Sequence, residues 1–170
     1  MTYSTLGWLF AVAVTLHNAE EALLLPKWSM RGGRWRAPVS AFEFRFAAAV
    51  LALLAYGVAY LSSIQGPQAM AAYAIAGYAL AMLLNVFFPH VLATIALRQC
   101  MPGTATALLF NLPVCSMLLY VGVQDGSIST DKFAWFGPAS VAVILASIPV
   151  LFFIGRKARP AFLRIGIPLP

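Results

Sequence analysis

Five apolar runs, each long enough to cross a bilayer, leave this chain few folds to choose from. They cover roughly 3–25, 40–63, 69–98, 104–122 and 134–155. A helix needs about 20 apolar residues to span the hydrocarbon core. Backbone groups in lipid must be satisfied within the span, so such runs fold as helices. The expectation is an all-α, polytopic transmembrane bundle of about five helices. It forms one integral membrane domain over 1–170, with a basic cytoplasmic tail over 156–170. Only 9% of the residues are charged, against about 25% in soluble domains.

The net charge of +6 raises the question of nucleic acid, and its distribution rejects it. With five spans, Lys27, Arg31, Arg34, Arg36, Arg45, Arg98, Arg156, Lys157, Arg159 and Arg164 fall on one side, and only Lys132 on the other. Basic residues mark the cytoplasmic side. The N-terminus is therefore expected outside and the C-terminus in the cytoplasm, with the basic rim against anionic membrane lipids. Trp8 and Trp135 near the outer ends, and Trp28 and Trp35 near the inner ends, fit interfacial belts. Met1-Thr2-Tyr3-Ser4 lacks a basic n-region, so no cleaved signal is expected. No lipidation motif is visible. A multi-pass protein of the bacterial inner membrane fits this pattern. Cys100 and Cys115 lack metal-type spacing and read as free thiols.

Local chemistry supports the boundaries. Ser40-Ala41-Phe42-Glu43 reads as a capping box opening the second helix. Thr130 or Asp131 is a candidate cap for the fifth. Small residues four apart, Ala48/Ala52, Ala55/Ala59 and Ala72/Ala76, allow close helix approach.

The first span holds His17-Asn18-Ala19-Glu20-Glu21. Spacing of i, i+3, i+4 puts His17, Glu20 and Glu21 on one helix face. Ionisable groups inside a bilayer are costly and point to function. His90, the other histidine, lies eight residues before Arg98, as His17 lies eight before Leu25. Both therefore sit roughly 12 Å from the cytoplasmic boundary. Asn111 falls at a similar depth, Glu43 slightly nearer the cytoplasm, and Asn85 deeper. Pro89 and Pro113 free the carbonyls of Asn85 and Leu109. Kinks there would open a pocket between helices one, three and four; equally, proline is simply common in membrane helices.

These residues resemble the bacterial integral-membrane family named after its HXXEE motif. His17-Asn18-Ala19-Glu20-Glu21 matches that motif in full. The family also has a second histidine, which His90 fits, followed by Tyr-x-Pro-Gly. Cys100-Met101-Pro102-Gly103 keeps the Pro-Gly and replaces the tyrosine with Cys100. The resemblance covers roughly residues 10–155 and implies a polar centre in a family of unknown function.

The chemical reading compares the motif with the inverted zinc signature His-x-x-Glu-His. Glu21 takes the last position, so His17 and Glu21 form a ligand pair, with His90 as third ligand. Two imidazoles and one carboxylate form a known catalytic zinc set, and iron or manganese suits the same donors. Glu20 is the expected general base. Glu43 reads as a helix cap, and Asn85 and Asn111 as interhelical hydrogen-bonders lining the pocket. The competing reading is a satisfied hydrogen-bond network, with Glu20 or Glu21 pairing with Arg45. The functional expectation is a metal-dependent hydrolase acting on a lipid or other amphiphilic small molecule. The alternatives are a transporter or proton-handling protein and a non-enzymatic binding or assembly component.

Overall fold

The computed structural model describes residues 1–30 and 39–164. Expectations that fall on Arg31, Arg34, Trp35, Arg36 and residues 165–170 lie outside the described residues. The described residues form five long apolar helices: α1 (Tyr3–Met30), α2 (Ala41–Gln65), α3 (Met70–Leu97), α4 (Thr104–Gln124) and α5 (Thr130–Arg164). Each is long and apolar enough to cross a membrane.

Two helices outrun their expected ends. α1 continues through Pro26 to Met30. Proline lacks an N–H, so the carbonyl four residues back, that of Ala22, loses its helical donor. Arg45 Nε donates to that carbonyl at 3.1 Å, which satisfies the freed group. The expected pairing of Arg45 with Glu20 or Glu21 is therefore corrected: Arg45 serves the backbone. α5 runs through Pro138, Pro149 and Pro160, so the basic stretch up to Arg164 is helix.

Both sequence-based caps differ from expectation. Ser40 occupies the cap position of α2, but its side chain makes no capping bond. Glu43 turns instead to Arg156 on α5, Oε1 to Nε at 3.3 Å. The distant charge outcompetes the local backbone because α2 and α5 meet here, where Gly155 leaves room against Phe46 and Glu43. Thr130 and Asp131 lie inside α5, and Ser129 precedes it, its carbonyl accepting from Phe133 N–H at 2.9 Å.

The core is built on α1, α3 and α4, where Leu6, Phe10, Val14, Tyr73, Ile75, Cys115 and Leu118 are buried. Small residues let the helices close up: Ala55, Ala59, Ala72 and Ala76 are all buried. α5 packs on α3, where Gly77 leaves no space for a Cβ against Ser140.

Two irregular turns shape the polar layer. α3 changes to a wider π-helical turn over Val86–Val91, and Phe88 leaves helical dihedrals altogether (φ −128, ψ 115) just before Pro89. α4 makes a similar turn over Ala107–Asn111, ahead of Pro113. Such turns concentrate at functional sites. Each carries a fully buried polar side chain, His90 on the first and Asn111 on the second.

Candidate metal centre

The helical face of α1 and the turn of α3 bring three donors together. His17 Nε2 lies 3.6 Å from Glu21 Oε2, and His90 Nε2 lies 3.4 Å from Glu21 Oε1. The imidazole rings stand edge to face, 4.8 Å between centroids. All three ligand atoms lie within 4.8 Å of one another. Two donors held about 2.0 Å from one tetrahedral ion sit roughly 3.3 Å apart, close to the two Glu21–histidine contacts, which use different oxygens of the carboxylate. Burial supports the fit. Among the described residues neither ring nitrogen of His90 has a hydrogen-bond partner, and a buried polar group is seldom left that way.

The turn between α3 and α4 closes over these donors. Thr94 Oγ1 accepts from Met101 N–H at 3.1 Å and lies 3.0 Å from Thr104 Oγ1. At the end of the turn Gly103 adopts φ +90, a conformation suited to glycine. A Cβ on Gly103 would fall 2.6 Å from His90 Cε1, 2.8 Å from Glu21 Cγ and 3.0 Å from His17 Cε1. The absent side chain is what lets the turn touch all three donors.

Glu20 points to the start of α4. Its Oε1 accepts from Gly103 N–H at 3.0 Å. Its Oε2 accepts from Thr106 N–H at 3.1 Å and from Thr106 Oγ1 at 2.6 Å. A carboxylate from α1 thus caps α4 at its positive end. Thr106 Oγ1 also lies 3.2 Å from His17 Nδ1. With the hydroxyl proton committed to Glu20, Nδ1–H donates to Thr106. That tautomer leaves the Nε2 lone pair facing Glu21. Asn85 Nδ2 donates to the same Nε2 at 3.2 Å.

Of the residues expected here, His17, Glu20, Glu21, His90 and Asn85 meet. Asn111 is buried, and its amide has no hydrogen-bond partner among the described residues. Glu43 is away from the cluster, paired with Arg156. A cavity of about 110 Å³ lies among α1, α2, α3 and α5, with His17, Asn18, Glu21 and Asn85 as the polar part of its lining. Sequence reasoning missed Thr106, which no motif marks. It also found Gly103 only as part of Pro-Gly, without a reason for its place.

The chain is similar to the "Uncharacterized protein YrkK" of Bacillus subtilis (strain 168), with 35% identity over 151 residues, 89% of this chain and 96% of that protein. No solved structure matches. The family model described as "Protein of unknown function with HXXEE motif" matches residues 8–118, a stretch that carries every residue of the cluster, and the chain belongs to that family.

Proposed function

We propose that this is a small metalloenzyme of the bacterial inner membrane, a hydrolase that acts on a lipid-like amphiphile. One observation carries the reading: three buried or half-buried donors, His17, Glu21 and His90, converge within 4.8 Å of one another, and two of them, His17 and Glu21, line a mainly apolar cavity. His17, Glu21 and His90 would hold a divalent cation, zinc by donor type. When bound, such an ion acidifies water and polarises a carbonyl or phosphoryl oxygen. Glu21 has two oxygens facing the histidines, so one can hold the ion while the other takes a proton. Glu20 is reassigned in this reading. Both its oxygens are engaged by α4, which makes it a positioning residue and not the proton shuttle expected from the motif.

The second reading is a structural network, favoured by the continuous chain Glu20–Thr106–His17–Asn85. The two readings differ at Glu21 and His90, which that chain does not include. The test uses purified protein in vesicles containing ester- and amide-linked single-chain amphiphiles, with and without added zinc. Metal-dependent release of product, lost in His90→Ala, is the expected result. Release that is independent of metal, or absent under every metal, would overturn the hydrolase reading.

A further inference from the structure

The cavity beside His17 and Glu21 adjoins a second along the same helices, and the two together are called the seam. A second cavity of about 360 Å³ lies among α2, α3 and α5. The two share Tyr78 and Ile144 as lining residues. Each helix contributes one stripe to both. On α3 the stripe is Met70, Ala74, Tyr78, Met82 and Asn85, a helical repeat that spans about 22 Å. On α2 it is Leu51, Leu54 and Val58, and on α5 Ser140, Ile144 and Ile148.

The outer cavity adds the Ser140 hydroxyl, and the Tyr78 it shares with the inner one, to an otherwise apolar lining. The imidazole, carboxylate and amide groups of the seam stand at the other end, at His17, Asn18, Glu21 and Asn85. Near that end α2 and α5 are drawn together: the Phe44 and Phe152 rings lie 6.2 Å apart, and Arg156 pairs with Glu43. The far end opens toward lipid, with Met70 70% and Phe136 38% exposed. The back wall is tight, since Gly77 meets Ser140 without room for a Cβ. Tyr78 narrows the middle. Its hydroxyl donates to the Leu51 carbonyl at 3.1 Å, which holds the ring at the junction of the two cavities.

We infer that this seam binds one straight acyl chain, with its carbonyl head at His17 and Glu21, beside His90, and its tail running past Tyr78 to Met70. This rests on the metalloenzyme reading and narrows its substrate class to single-chain acyl esters or amides. A second tail has no space, because α3 and α5 are in contact behind the first. Tyr78 and Ile144 set chain selection: a short tail ends before them, and a long tail passes between them into the outer cavity.

The test uses two photoactivatable palmitic acids, one with the diazirine beside the carboxylate and one with it near the terminal methyl. Each is presented to the full chain in phosphatidylcholine vesicles, and labelled residues are mapped by mass spectrometry. The head-proximal probe is expected to label Met82 and its neighbours, and the tail probe Met70 and Leu54. Excess unlabelled palmitic acid should suppress both. Ala74→Trp fills the outer cavity and should cut tail labelling of Met70 and Leu54 by about tenfold. Ala74→Leu should do so partially, which guards against misfolding of the larger variant. Metal content is measured on the same samples, so the two readings fail separately. Metal-free protein with ordered labelling sinks the metal reading and leaves the seam. Labelling spread over lipid-facing positions such as Leu53, unmoved by competitor or by Ala74 variants, overturns the seam.

Discussion

Glu20 on α1 and Thr106 on α4 share a hydrogen bond of 2.6 Å, and through it the motif helix both caps α4 and fixes the orientation of His17. Outer partners of a ligating histidine typically contribute ten- to hundredfold in metal affinity. Thr106→Val removes the acceptor for His17 Nδ1–H and should weaken zinc binding by about that factor, as read in a competition titration with a chromogenic chelator. Thr106→Ser keeps the hydroxyl and should restore most of the affinity. Equal loss in both variants would contradict the assigned role.

Glu20→Gln puts an amide where three donors converge. One oxygen can still accept from Gly103 or Thr106, but the amide nitrogen meets a second N–H. The loss should cost about 1–2 kcal/mol, the range for a broken cap. A fall in the thermal midpoint, present with metal removed as well as with metal bound, separates this from a catalytic role. An unchanged midpoint with abolished activity would return Glu20 to the role of general base.

Gly103→Ala tests the closeness of the turn. The residue sits at φ +90, and its new methyl would press on His90, Glu21 and His17 together. Backbone strain and overpacking each cost about 1–3 kcal/mol. Reduced thermal stability is expected along with loss of metal. A variant of wild-type stability and metal content would show that the turn stands off the donors.

The spans were legible because hydrophobicity alone decides them: all five recur within a few residues of their expected starts. Their ends were less so. Proline signals a stop in water, yet α1 passes Pro26 because Arg45 replaces the missing donor, a contact between residues 23 positions apart. The convergence of His17, Glu21 and His90 was readable from helical spacing and matching depth. Thr106 and the cap by Glu20 were not, since nothing local in Gly103-Thr104-Ala105-Thr106 announces a carboxylate arriving from another helix.

The basic residues give a topological prediction. Reporters active only in the cytoplasm or only in the periplasm, fused after Pro170, should report a cytoplasmic C-terminus. Activity of the periplasmic reporter alone would reverse the orientation, and the polar cluster would then face the outer half of the membrane.

Acidity should release the cation, because imidazole and carboxylate ligate only when deprotonated. An ion that binds the folded state alone raises stability by mass action. Zinc should therefore raise the thermal midpoint near neutral pH, and the increment should vanish as pH falls through the range in which histidine takes up a proton. An increment that persists in acid, or grows there, would place the ion elsewhere.

Elemental analysis of detergent-purified protein, prepared without chelators, is the most direct test of the metal centre. Wild type should carry about one tightly held divalent ion, zinc by ligand type with iron or manganese as the other candidates. His17→Ala should abolish it, His90→Ala should reduce it strongly, and Glu21→Gln should impair it, while all three remain folded by circular dichroism. Folded wild-type protein that carries no metal and takes up none from added zinc would contradict the reading and leave a hydrogen-bonded His/Glu network in its place.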